Sequence, residues 1–236
     1  MRILMSLVLS CLVAAVQAVP VRAGDMPVVV ELFTSQGCSS CPPADALLRD
    51  LTTRDDVLPL ALHVDYWDYI GWKDHFARPE FTARQKHYAA FAGRKMIYTP
   101  QMVVAGREDV VGVDAAKLAE AITAHRARSP VMTMRVTRSG TALTVQVKPV
   151  ATADTGGPVL VQLVRFAPLR KVEISSGENA GKTIAYANVV EDLSVLGDWD
   201  GAAPAEFTAR LDGDSASAVL IQRPGPGAIL AAARVR

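Results

Sequence analysis

The sequence is short of cysteine and of any charge excess, and it holds no apolar run long enough to cross a bilayer. Three cysteines in 236 residues exclude a disulfide scaffold, in which several bridges replace a core. A formal charge of +1, from 25 Lys+Arg against 24 Asp+Glu, leaves no basic excess to draw the chain to nucleic acid or to an anionic membrane. The longest apolar stretch, Ile3 to Val16, is shorter than the roughly 20 residues of a membrane span. There is no internal repeat and no low-complexity linker. What is present is a globular composition, 50% hydrophobic and 21% charged, able to bury a core. At about 100–200 residues per domain, one decorated domain or two small ones are expected.

The apolar stretch follows Arg2 and precedes the small-residue contexts Val16-Gln17-Ala18 and Val21-Arg22-Ala23, the pattern of a secretory signal peptide. Residues 1–23 are therefore expected to be a leader, and the protein to be periplasmic or secreted, with no stable membrane insertion after cleavage. Cys11 would leave with the leader. Cys38 and Cys41 then remain, in an oxidising compartment.

The rest of the chain falls into two textures. From Pro27 to about Arg128, strand-like and helix-like segments alternate. Val28 to Phe33 and Val57 to Val64 are near-continuous apolar runs, the mark of strands covered on both faces. Pro79 to Gly93 reads as a helix with proline in its first turn and glycine past its end. Met102 to Ala105 and Asp109 to Val111 read as a hairpin through Gly106, and Asp114 caps a last helix. After Ser129-Pro130 come short alternating segments separated by turns such as Ser139-Gly140 and Pro224-Gly225-Pro226-Gly227, the signature of an antiparallel sandwich. The expected organisation is α/β: residues 24–129 as one domain and 130–236 as an antiparallel β-sandwich-like domain.

The chemistry concentrates in Gly37-Cys38-Ser39-Ser40-Cys41-Pro42, between the first strand and the first helix. Cysteines at i and i+3 on such a turn bring their sulfurs together, and amides at a helix start favour the thiolate that attacks disulfides. The alternative is a structural staple. Loop-closure entropy gives a ring of about four residues only about 2 kcal/mol, against about 3 for a 15-residue loop, so the pair points to reactive or metal-binding chemistry.

This succession of strand, C-x-x-C, helix, strand, helix, Thr-Pro before a strand pair and closing helix resembles the thioredoxin fold. The run from Val30 to Asp45, with His63-Val64-Asp65-Tyr66-Trp67-Asp68, Tyr98-Thr99-Pro100-Gln101, Gly177-Glu178-Asn179-Ala180-Gly181 and Gly197-Asp198-Trp199-Asp200-Gly201, also resembles an exported bacterial family named only as domain-of-unknown-function family 1223. The first resemblance implies that Cys38 attacks and Cys41 resolves. It also implies that Pro100 is a cis-proline beside the pair, with Thr99 offering backbone bonds to an extended substrate. It further implies that Asp65, Tyr66, Trp67 and Asp68 lie near Cys38, because loops at the carboxyl ends of neighbouring parallel strands converge. There Tyr66 or Trp67 would wall a substrate groove and Asp65 would relay a proton; as plain structure, the aromatics are core and the aspartate a cap. Thioredoxins carry a buried carboxylate in the strand before the motif. Glu31 takes that role, serving the Cys41 thiol, if one extra residue is allowed in the following loop; a one-residue slip turns it to the other face.

Two departures stand out. Gly37 occupies the position before the first cysteine, where thioredoxins carry an aromatic residue. Pro42-Pro43 removes amide donors at the helix start, with Ser40 a candidate cap. Comparison with Sco-type copper chaperones, which use two thiolates and an imidazole suited to Cu(I), finds no histidine beyond Thr99-Pro100 except His125. His63, His75, His87 and His125 are expected to be structural or solvated, and no cofactor or metal is expected. The glycine-bounded segments at 177–181 and 197–201 read as tight turns, with a lip over the redox site or a docking surface as the alternative. The expected function is thiol–disulfide exchange on a protein or small-thiol disulfide, with a separate redox partner to complete a cycle. The alternatives are a periplasmic Cu(I) or Zn(II) binding module and a binding protein with an inert disulfide.

Overall fold

The computed structural model describes residues 26–151, 155–213 and 215–235. The expected leader, residues 1–23, lies outside them. The architecture is mixed α/β, mostly strand. The first half runs β1 (Val28–Thr34), α1 (Pro42–Leu51), β2 (Val57–His63), α2 (Pro79–Phe91), β3 (Gln101–Val104), β4 (Glu108–Val111) and α3 (Ala115–Arg126). The second half runs β5 (Met132–Ser139), β6 (Ala142–Pro149), β7 (Val159–Glu173), β8 (Thr183–Trp199), β9 (Ala205–Arg210), β10 (Ala216–Gln222) and β11 (Ile229–Val235). β7 is long and runs unbroken through Val159–Glu173. Pro168 is accommodated inside it because β10 pairs with β7 only as far as Phe166, so beyond that point one side of β7 has no ladder for a proline to break.

Strands from both sides of residue 130 share one eight-stranded sheet, in the order β11-β10-β7-β8-β2-β1-β3-β4. β1 and β2 are parallel, while β3 runs antiparallel to β1. The seam between the two halves is the β2–β8 pair, which makes a single parallel pairing, Ala61 with Val189. Pro59 lies in β2 and offers no amide. Its carbonyl instead accepts from the Asn188 side chain at 2.8 Å, and Asn188 adopts φ 47° to reach it. β5, β6 and β9 form a second sheet whose Met132, Leu143 and Val145 pack on Val161, Val219 and Ala231 of the large one.

The strand period of two divides the side chains of β1 between the faces of the large sheet. Val28, Val30 and Leu32 face α1 and α3, packing on Leu48 and Leu118. Val29 and Phe33 face α2 and join a core with Phe81 and Tyr88 that also takes in Val164 and Leu220 from the second half. Ile229, at the start of β11, donates its amide to Ala105 O beyond β3, so the far edge of the sheet curls back toward the β3–β4 turn. Gly106 is required there: a Cβ would sit 2.4 Å from Gly227 O, at φ +64°.

Candidate functional site

Cys38 and Cys41 are joined in a disulfide with Cα atoms 5.4 Å apart. They lie at the carboxyl end of β1, where the Cys38 amide donates to Ser35 O and the Cys41 amide to Cys38 O. Cys41 is the N-cap of α1, without a side-chain cap bond, so Ser40 does not cap the helix. Pro42 and Pro43 fill its first two positions, and the first helix amides, Ala44 and Asp45, both donate to Cys41 O. The helix start therefore leaves no free amide to stabilise a Cys38 thiolate. Both cysteines are buried, at 1% and 0% exposure, and only Ser39 and Ser40 between them are exposed.

The residues expected around the pair are partly gathered there. Thr99–Pro100 is a cis bond. Pro100 lies beside Ala44 in the first turn of α1, both crowding the position of Gly112, where a Cβ would meet Pro100 Cβ at 2.8 Å and Ala44 Cβ at 3.0 Å. Trp67 Nε1 donates to Thr99 Oγ1 at 2.7 Å, and Trp67 also packs on Gly37, whose added Cβ would lie 3.2 Å from Trp67 O. The aromatic neighbour of the first cysteine thus comes from the loop after β2, and glycine at 37 makes room for it. Tyr66 donates to Gln85 Oε1 at 3.3 Å; burial pushes its hydroxyl up to about 12, partly offset by its bonds to Gln85 and Thr99, and it stays neutral. Asp65 accepts from Thr82 Oγ1 at 2.6 Å, a contact to α2 that gives it a structural anchor.

Glu31 requires a correction. It shares the α2 face of β1 with Val29 and Phe33, away from α1. Its Oε1 accepts from Arg84 Nε at 2.7 Å and its Oε2 from Tyr88 Oη at 2.5 Å. Gln222 of β10 completes the network, accepting from Arg84 Nη2 and donating to Tyr88 Oη, each at 2.8 Å. The strand alternation turns Glu31 away from Cys41, and its partners hold it there.

The carboxyl on the cysteine side is Asp45, four residues past Cys41 in α1. Side chains at i and i+4 share one helix face, and the Asp45 amide donates to Cys41 O at 3.1 Å, which sets Asp45 one turn behind the second cysteine. Asp45 is 2% exposed. Its Oδ1 accepts from Thr34 Oγ1 at 2.8 Å, while Oδ2 is buried without a partner. Burial, eased by His63 and Thr34 and reinforced by Asp74, pushes its pKa up to about 7. His63, at the end of β2, bonds through Nδ1 to Asp74 Oδ2 at 2.7 Å, both side chains fully buried. Burial acts to raise the Asp74 carboxyl, but His63 and the amides of Gln36 and Phe76 outweigh it and hold it below the usual range. Tyr186 of β8 packs edge-on against the His63 ring, with centroids 4.9 Å apart, and its hydroxyl is raised by burial and then by Asp45 and Asp74.

A loop of the second half closes over the motif. Asn179 Nδ2 donates to Gln36 O at 2.9 Å and Cys38 O at 3.0 Å, and its Oδ1 accepts from Lys182 Nζ at 2.8 Å. Ser176 Oγ donates to Gly71 O at 2.6 Å. The segment expected to be a plain turn therefore touches the cysteine loop. The one at 197–201 does not: Trp199 is core, donating to Ala203 O. Among the described residues, no group of three or more His, Cys, Asp or Glu side chains converges on a metal position. Asp45, four residues past Cys41, is close to the pair in sequence but depends on α1 packing for its burial, and His63, Asp74, Asn179 and Tyr186 come near it only through long-range packing.

A family model described as "Protein of unknown function (DUF1223)" matches residues 29–222. The chain belongs to this family. DUF1223 contributes no activity by its description. The chain is also similar to the crystal structure of protein AGR_C_4864 from Agrobacterium tumefaciens, with 32% identity over 88% of this chain and 93% of that one and a TM-score of 0.76. HBP35 of Porphyromonas gingivalis is similar in fold, at 15% identity and a TM-score of 0.59, covering 89% of this chain and 74% of that one. No curated protein matches by sequence.

Proposed function

We propose that this DUF1223 protein is an exported thiol–disulfide exchange protein, periplasmic or secreted, whose residues up to about 129 form a thioredoxin-like unit. The observation that carries the reading is a disulfide at a strand-to-helix turn with a protonatable carboxyl, Asp45, one helical turn behind its second cysteine. The strand order β2-β1-β3-β4, with α1 and α3 on one face and α2 on the other, supports the fold part of it. Pro100, Thr99 and Trp67 beside the motif support a groove for an extended disulfide substrate.

In the reducing direction the Cys38 thiolate attacks one sulfur of a substrate disulfide; that bond breaks, a mixed disulfide forms, and the first substrate thiolate leaves with a solvent proton. Cys41 then gives its proton to Asp45 and attacks Cys38 Sγ, closing Cys38–Cys41 and expelling the second substrate thiolate, which takes a solvent proton. Two electrons pass to the substrate, and a separate dithiol partner must return them. The prolines at the helix start withhold thiolate-stabilising amides, which favours a reductant over a strong oxidant. Cys41→Ser should accumulate mixed disulfides through Cys38 in cells, seen as adducts that dithiothreitol removes. No adducts, together with stoichiometric Cu(I) binding lost on either Cys→Ser change, would replace the reading with a metal-binding one; neither result would leave a binding protein with an inert disulfide.

A further inference from the structure

The cysteine pair follows the carboxyl end of β1; its first residue, Val28, lines a cavity of about 300 Å³, roughly 20 Å back along the strand. The three cores of the molecule meet there. Val28 belongs to the core under α1 and α3, Ile229 to the one under α2, and Met26, Val131 and Leu230 pack on the third, so much of the lining is apolar. The charged lining is cationic: Arg107 from the β3–β4 turn, and Arg126 and Arg128 from the end of α3, with His125 beside them. No acidic side chain among the described residues lines it. Arg126 is spent on Asp56 at 2.6 Å, which Arg54 shares, and Glu108 stands 3.6 Å from His125 Nε2. The guanidinium groups of Arg107 and Arg128 have no hydrogen bond or ion pair among the described residues. They are nonetheless close: partial burial, then Arg128 and Arg223, holds Arg107 below the usual guanidinium range, and burial followed by Arg128 lowers His125 despite Glu108. Arg223 donates to Thr155 O and Gly156 O, carbonyls that carry no charge to balance it.

Basic residues at a helix C-terminus are ordinary, since they complement its carbonyls. That accounts for Arg126 and Arg128, but Arg107 is brought in by a different element. The turn that carries it is pinned, because Ala105 O accepts the Ile229 amide and Gly106 packs on Gly227 O. Like charges gathered by a fixed frame at one cavity repel until an anion stands between them. We propose that this cavity binds a small amphipathic anion, with a carboxylate or phosphate head between Arg107 and Arg128 and a short apolar body against Val28, Ile229 and Leu230. Guanidinium groups present paired N–H donors that match either head, and the apolar lining withdraws the body from water. A cavity at the small end of ligand sites fits a chain of roughly eight carbons and not a nucleotide. The site uses no residue of the cysteine loop and stands apart from the exchange reading. Its lining comes from β1, α3, the 128–131 connection and β11, so an occupant ties the two halves of the chain together.

The test is isothermal titration of the full chain at low ionic strength with octanoate and with octyl phosphate, beside octanol and inorganic phosphate. At least one of the two amphipathic anions should bind and raise Tm, and the tighter of them identifies the head. Arg107→Gln and Arg128→Gln should each weaken binding about tenfold; both side chains are exposed, so the variants keep the fold. Arg138→Gln, at the far end of β5, should leave the affinity unchanged. Failure of both amphipathic anions to bind overturns the proposal. So does octanol or inorganic phosphate binding as tightly as they do, or an affinity that neither arginine variant alters.

Discussion

Two networks of buried ionisable groups lie on opposite faces of the same sheet, and they are finished to different degrees. On the α2 face, Glu31, Arg84, Tyr88 and Gln222 satisfy one another: both carboxylate oxygens of Glu31 accept, and Tyr88 Oη gives one bond and receives two. Burial disfavours the Arg84 charge, yet Glu31 and Tyr88 raise its pKa further, and burial together with Glu31 raises the Tyr88 hydroxyl far above its ordinary value. The donors and acceptors there are spent on one another. On the α1 face, Asp45, His63 and Tyr186 each keep an atom unpaired beside a disulfide. A closed network fixes a fold. An open one leaves buried polar atoms unsatisfied, which is what the exchange chemistry proposed above would draw on.

Breaking the closed network should have the largest effect on stability. Glu31→Gln leaves Arg84 buried without its counter-charge and should cost about 3–5 kcal/mol, read from urea denaturation, while the rate of Cys38 attack in the folded fraction stays unchanged; a fall in that rate would return Glu31 to the redox chemistry. In the open network the effect should depend on pH. The folded Asp45 carboxyl titrates at about 7 and an unfolded one near 4, so the native state holds the extra proton between those values. Stability then falls as pH rises, by about 3 kcal/mol between pH 5 and pH 8. Asp45→Asn in the oxidised protein should abolish that decline, and a decline that persists assigns it to another group. Smallest is Asn179→Ala, which frees the Cys38 and Gln36 carbonyls: about 1–2 kcal/mol of stability, with faster reduction of the disulfide by a water-soluble phosphine. Unchanged reduction would show that the loop at 175–182 does not limit access.

Much of the site was legible because its signals are local. Cys38 and Cys41 at i and i+3, Thr99-Pro100 at a strand start, and Trp67 just past β2 need only the order of elements to come together. Glu31 and Asp45 show where that ends. Both are acidic residues near the motif, and the chain alone does not say which face of β1 α1 will cover. Asn179 lies 141 residues from Cys38 and reaches it only because β8 joins β2, at a pairing reduced to one position by Pro59. The division expected near residue 129 follows a real change in pattern, yet Phe33 and Leu62 from one side share a core with Val164 and Leu220 from the other. Alternation tells how many faces a strand buries, not whose side chains meet them.

The sequence by itself determined the cysteine pair, since two cysteines at that spacing on a strand-to-helix turn approach each other through local geometry alone. Only the tertiary structure decided which carboxyl lies on their side of the sheet. A strand of period two sends Glu31 to one face and Thr34 to the other, and the packing of α1 on Thr34's side buries Asp45 and withdraws it from water, which is what gives it a proton to hold.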